Sequence, residues 1–303
     1  MRRPPSGEQL ELRSDDQHAV VVEVGAGLRA YTAGERDVID GYAVDQQCAG
    51  GRGQILLPWP NRIRGGRYDW EGEELQLAIT DVEHGSAIHG LLAWRNWAVA
   101  RHSDCAVTMS HVLHPTPGYP FELELEVTYE LGEGGLSLTT AALNASDRSC
   151  PFGAGFHPYL VAPGLELIDD CEVRLPAASH ELVDEHLIPY ADEAVTGTPY
   201  DFRTARTFAD TQLDTCFLDL ERDEDGIVRA SIAGPAGTTT VWADSSYGFF
   251  QAYSGDTLAP PERRRALALE PMTCAPNAFV TGEGLITLAP GARFEARCGI
   301  VPS

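Results

Sequence analysis

In the run Phe121-Glu-Leu-Glu-Leu-Glu-Val-Thr-Tyr129, apolar and polar residues alternate without a break. A side-chain repeat of two puts Phe121, Leu123, Leu125, Val127 and Tyr129 on one face of a strand and Glu122, Glu124 and Glu126 on the other. A helix cannot separate the two sets. Gly132-Glu-Gly-Gly135 suits a hairpin connection, and Leu136-Ser-Leu-Thr-Thr-Ala-Ala-Leu143 predicts the returning strand. Further strands are predicted over residues 17–24, 216–220, 227–232, 238–243, 248–253 and 285–288, with looser alternation over 28–47. Thirty glycines and twenty prolines punctuate these pieces, and no long amphipathic helix appears. Pro271 biases Glu270 toward extended geometry, so residues 262–270 read as a basic loop leading into a strand that ends at Glu270. The expected fold class is all-β, a large sandwich or barrel-like assembly.

A length of 303 residues suits either two domains or one large all-β domain, and no composition break marks a linker. Acidic residues number 45 against 22 basic, a formal charge of −23. That balance disfavours nucleic acid and anionic membranes as partners, although a local arginine can still meet one phosphate or sulfonate on a small ligand. The seven cysteines are scattered and form no CxxC pair, which argues against a zinc knuckle or a redox dithiol. With no apolar signal segment and no membrane span, the default expectation is a cytoplasmic protein.

Two apparent metal motifs fail. His180-Glu-Leu-Val-Asp-Glu-His186 has Asp184 where a zinc hydrolase needs its second histidine. The acidic run 219–226 has Ile232 where a calcium loop needs its glutamate, so Asp225-Gly226 reads as a turn. Other residues are harder to dismiss. His157 lies in Gly155-Phe-His-Pro-Tyr159, a rigid aromatic setting that suits either a core histidine or a general acid. Glu270 closes the apolar run Ala266-Leu-Ala-Leu269; it is either a rim residue or a half-buried base of raised pKa. Asp214 is a weaker case of the same kind. In Pro58-Trp-Pro-Asn-Arg-Ile63, prolines bracket Asn61 and Arg62, and Arg62 either binds a ligand or pairs with an acidic neighbour. Trp59 is a candidate stacking surface. His84 and His89 are five apart, so on one strand they would point to opposite faces and make no metal pair.

Six segments, in order, resemble the aldose 1-epimerase (galactose mutarotase) family, most closely its bacterial branch with proline after the catalytic histidine. They are Pro58-Trp-Pro-Asn-Arg-Ile63, His89-Gly-Leu-Leu-Ala-Trp94, Pro117-Gly-Tyr-Pro-Phe121, Gly155-Phe-His-Pro-Tyr159, Leu213-Asp-Thr-Cys-Phe217 and Glu270-Pro-Met-Thr-Cys-Ala-Pro-Asn-Ala-Phe279. The resemblance implies one β-supersandwich domain, here residues 1–303; residues 1–14, a polar start, are expected as a flexible lead. It implies an isomerase that interconverts the anomers of a free hexose without metal or organic cofactor. Glu270 would be the base, His157 the acid, and His89 would polarise the ring-oxygen region. Arg62 and Asp214 would contact sugar hydroxyls, with Asn61, Gln54, Trp59 and Trp94 as further ligand contacts. The family's galactose-type members commonly carry an aspartate after the base, where this chain has Ala275-Pro-Asn-Ala-Phe279. They often read Gly-Tyr-Pro-Gly where this chain has Phe121, so galactose is not singled out as the sugar. The alternatives are a phosphorylated or sulfonated hexose, met by Arg62, Arg64 or the 263–265 arginine run, or a non-catalytic carbohydrate-binding protein. The expected partner is a small sugar, and the chain is expected to be a monomer or a homodimer.

Overall fold

The computed structural model describes residues 3–303. The alternating run forms strand Leu123–Gly132, with Leu123, Leu125, Val127, Tyr129 and Leu131 buried in one row. It pairs with Gly135–Asn144 in a hairpin that closes at Gly132 opposite Gly135. These two strands lie in a nine-stranded sheet whose ladders are all antiparallel. Its inner row packs into the core, and its outer row of glutamates meets solvent.

A second, eight-stranded antiparallel sheet runs through Ala177–Val183, Asp214–Leu220, Phe249–Tyr253 and Ala266–Met272. Gly155–Phe156 and Ile55–Leu56 follow, and Tyr159–Val161 pairs with the same Ala266–Met272 strand. A smaller four-stranded sheet opens the chain. Its first strand, Gln9–Ser14, is paired along its whole length with Gln17–Val22, and Leu10 and Leu12 are buried. Within the expected flexible lead, residues 9–14 are thus paired strand: burying two leucines outweighs the polar look of the segment. One apolar cluster draws on all three sheets. The all-β, mostly antiparallel sandwich expected from the sequence is what the chain forms.

Strand Ala266–Met272 is buried on both faces. Leu267 and Leu269 enter the main core, whereas Ala268 and Met272 belong to two separate small clusters on the opposite side. By the two-residue repeat, Glu270 shares that second face with Ala268 and Met272. Opposite residues in an antiparallel ladder share a face, so the register extends this face across the sheet. Glu270 lies opposite Gln251, and Gln251 opposite Cys216. In the next row Tyr159 lies opposite Ala268, Ala268 opposite Tyr253, and Tyr253 opposite Asp214. The strand does not stop at Glu270 but runs through Pro271. Extended geometry before a proline is strand geometry, so the bias that suggested an end continues the element.

Candidate active site

The second face of the eight-stranded sheet forms the floor of a cleft of about 370 Å³. Glu270, Gln251, Asp214 and Tyr159 rise from the sheet, and loops bring in Gln54, Asn61, Arg62, His89 and His157. Two other surface depressions are larger, about 490 and 630 Å³. Neither holds a buried carboxylate beside a buried histidine, so size does not decide where the chemistry is.

His157 Nε2 lies 3.3 Å from Glu270 Oε1, and the two residues are 5% and 1% exposed. The His157 ring stacks on Tyr159, with centroids 5.1 Å apart and an interplanar angle of 11°. His89 meets His157 edge to face at 5.4 Å. The loop over the pair approaches so closely that a Cβ on Gly51 would stand 2.8 Å from His157 Cδ2, and its φ of +75° also requires glycine.

His89 and Asn61 are both non-glycine residues in left-handed geometry, φ +58° and +53°. Each costs backbone strain, and two side by side mark a built feature. They clasp each other: the His89 N–H donates to Asn61 O (3.0 Å), and the Asn61 N–H donates to His89 Nδ1 (3.2 Å). A neutral imidazole that accepts at Nδ1 carries its hydrogen on Nε2. His89 Nε2 is thus set as a donor. One nitrogen or oxygen each of His89, His157 and Glu270 lies within 4.8 Å of the others, a spacing a metal ion could use. The His89 tautomer does not fit that use, since a metal needs the lone pair that the hydrogen occupies.

Burial raises the pKa of Glu270 well above the usual carboxylate value; Asp214 adds to this and Arg62 opposes it. Burial lowers His157, and the positive charge of Arg52 acts in the same direction. His89 is lowered too, by desolvation and then by His157 and Arg62. The site therefore disfavours separated charges on Glu270 and His157.

Arg62 Nε donates to Asp81 Oδ2 at 2.8 Å, and Asp81 also pairs with His84 Nδ1 at 2.9 Å. Ion pairing and cleft lining, the two alternatives for Arg62, hold together. The Arg62 strand is pinned from behind: the Asn277 N–H donates to Arg62 O (2.7 Å), and Asn277 Oδ1 accepts the Arg64 N–H (3.0 Å). Gln251 Nε2 donates to Asp214 Oδ1 at 2.6 Å, and burial raises Asp214.

Of the residues singled out in the sequence, Glu270, His157, His89, Arg62, Asp214, Asn61 and Gln54 converge on the cleft. Trp59 and Trp94 do not. Trp59 is core, edge-on to Phe279 at 5.4 Å, because its turn directs the ring inward. Trp94 is 56% exposed and lines a neighbouring crevice with Gln47 and Cys48, on the far side of Gln54 from the cleft. Both histidines of the 84–89 segment line the cleft, contrary to the opposite-face expectation. Strand Ser86–Ile88 contains neither of them, so the strand repeat does not apply. Arg64 turns away to Asp184, and Arg264 and Arg265 are engaged by Asp169, Asp256 and Asp40. His180, of the failed zinc motif, is a buried histidine against Tyr200. Sequence reasoning missed Gln251 and Asp81. Gln251 was legible as the one polar residue of Phe249-Phe-Gln-Ala-Tyr253, whereas nothing local marks Asp81.

The aldose 1-epimerase family model matches residues 8–300. The chain belongs to the aldose 1-epimerase family. It is 36% identical over 287 residues to the uncharacterized protein YihR of Escherichia coli, covering 94% of this chain and 90% of that protein. It is 30% identical over 221 residues to galactose mutarotase of Rattus norvegicus, covering 66% of this chain and 62% of that enzyme. A GalM/aldose epimerase homologue from C. elegans has the same fold, with a TM-score of 0.87 at 20% identity over 98% of both chains. Membership of this family supports an isomerase-type activity on sugars. Among the described residues no helix is long and apolar enough to cross a membrane.

Proposed function

We propose that the cleft interconverts the α and β anomers of a free, uncharged hexose by opening and closing its ring. The observation that carries this reading is the convergence of Glu270, His157 and His89 within 4.8 Å on the wall of a sugar-sized cleft. Glu270 as carboxylate takes the proton of the C1 hydroxyl, and His157 as imidazolium gives one to the ring oxygen. The C1–O5 bond breaks, the C1 aldehyde forms, rotation about C1–C2 presents its other face, and the two transfers reverse on closing. Ring opening turns a carboxylate–imidazolium pair into a carboxylic acid beside a neutral imidazole. Burial favours that neutral form, so the opening step discharges an ion pair that the site disfavours. Two positioned proton transfers supply about 5–11 kcal/mol, enough for a reaction that already proceeds in water. His89 Nε2–H donates toward the ring-oxygen side, and Arg62 and Asp214 hold hydroxyls.

An uncharged sugar fits the charge balance of the cleft. Arg62 is engaged by Asp81, and the other lining acids, Glu270, Asp214 and Glu83, are carboxyl groups that offer an anion no partner. Rates on neutral, phosphorylated and sulfonated hexoses, followed by polarimetry or saturation-transfer NMR, test this choice; a clear preference for an anionic hexose would overturn it. Glu270→Gln and His157→Asn each lower kcat/KM by ~10²–10⁴ with the fold intact. A near-wild-type rate in either variant refutes the assignment and leaves a carbohydrate-binding protein as the better reading. Chelator is expected to leave the rate unchanged.

A further inference from the structure

Behind His157 lies a buried arginine to which the reaction above gives no part. Arg52 is 4% exposed and sits in the loop that closes over the His157 ring. Its Nε donates to Asp40 Oδ2 at 3.0 Å and its Nη1 to Ala49 O at 3.1 Å. Its guanidinium carbon stands 4.9 Å from the centroid of the Tyr159 ring, the ring on which His157 stacks. Among the described residues Arg52 Nη2 is buried without a hydrogen-bond partner. A cation over an aromatic ring is held by the ring's quadrupole, so the contact with Tyr159 is attractive in itself. The loop is tied to this stack at two further points: Tyr159 Oη donates to Gly50 O (2.7 Å), and the Gly53 N–H donates to His157 O (2.9 Å).

We propose that Arg52 is a positioning residue for the candidate acid: seated on Tyr159, it fixes the ring against which His157 stacks and sets a permanent positive charge beside it. The proposal rests on the reading of His157 as the acid. The groups that face His157 are Glu270 from the sheet, His89 just after strand Ser86–Ile88, Tyr159 on its own segment and Arg52 from the covering loop. Tyr253 stands beyond Tyr159, edge-on at 6.3 Å. Arg52 is the one arginine in this set, and its charge disfavours a second positive charge on His157. Asp40 keeps a partner when Arg52 is neutralised, because Arg265 Nη2 lies 3.5 Å from its Oδ1. Arg52→Gln therefore does not leave a buried carboxylate alone.

The test uses Arg52→Gln and Arg52→Lys with two readouts. In Arg52→Gln, kcat falls about tenfold while KM changes little, because the acid is misplaced rather than the sugar-binding groups. The limb of its bell-shaped pH profile that His157 sets moves to higher pH by about one unit, since loss of a nearby cation favours protonation. Arg52→Lys keeps the position of the profile but loses part of kcat, having charge without the planar stack. The second readout needs no turnover: the His157 ring signal in sugar-free protein, assigned by its absence in His157→Asn, titrates at higher pH in Arg52→Gln. Wild-type kcat with an unmoved profile and an unmoved His157 titration in Arg52→Gln overturns the proposal. Should Arg52→Gln fail to fold, undiminished kcat in Arg52→Lys overturns it, and reduced kcat at an unmoved profile supports it. If the wild type turns over no sugar, the reaction reading fails, and the NMR titration alone still decides the role of Arg52.

Discussion

The two large sheets handle carboxylates in opposite ways. In the nine-stranded sheet, Leu123, Leu125 and Val127 face the core while Glu124 and Glu126 stand in water. In the eight-stranded sheet, Leu267 and Leu269 face the same core, but Glu270, two residues from Ala268 and Met272, is sealed under loops. Both obey the same two-residue repeat. What differs is the cover on the far face, and the cover turns a solubilising glutamate into a reactive one. A carboxylate in water is cheap to ionise, whereas one held by apolar walls binds its proton tightly.

The strongest way to break this contrast is at Glu270. Glu270→Gln is expected to lose ~10²–10⁴ of the mutarotation rate while unfolding at an equal or higher temperature, measured by polarimetry and calorimetry. The sign follows from its raised pKa. The native state holds its proton longer than the unfolded chain does, so the ionisable side chain costs stability as pH rises above the unfolded value near 4.5. A stability loss in the variant would mean that Glu270 is structural. On the core side of the other sheet, Leu125→Ala should cost ~2–5 kcal/mol in denaturant unfolding, with kcat unchanged in the folded fraction.

Glu181 sharpens the contrast away from the acid–base pair. It is buried beside Cys216 at the end of the cleft-facing row, and burial pushes its pKa up to about 8, with Glu283 and Asp192 adding to the rise. Between pH 4.5 and pH 8 the native state therefore binds more protons than the unfolded state, and stability falls across that window as pH rises. Glu181→Gln removes the slope, gaining about 4 kcal/mol over wild type from the lower to the upper end. Parallel stability–pH curves for the two proteins would show that Glu181 is solvated. The smallest effect belongs to the solvated row: Glu126→Gln should change stability by no more than ~0.5 kcal/mol and leave the rate untouched.

Much of the fold was legible because alternation is local. The hairpin of Leu123–Gly132 and Gly135–Asn144 could be read to within two residues at its start, and the turn to the residue. The polar lead was misread because Leu10 and Leu12 are too few to announce a strand without the Gln17–Val22 partner that covers them. Among site residues, those carried by the family's segments converge, but the two tryptophans were indistinguishable from ligand contacts by type alone. Direction of a ring from a turn depends on its dihedral angles and on distant partners such as Phe279. Asp81 was invisible for the same reason: its tie to Arg62 crosses a loop.

The sequence by itself determined which residues share a face within a strand, so Ala268 and Glu270 had to lie together, as did Gln251 with Phe249 and Tyr253. Register between strands then decided that Glu270 stands opposite Gln251 and that Tyr253 stands opposite Asp214. Loop closure decided that His157 meets Glu270, that Asn61 fixes the tautomer of His89, and that Arg52 backs Tyr159. A side-chain repeat is written in neighbouring residues, whereas convergence of segments far apart in the chain is set by the packing that buries them.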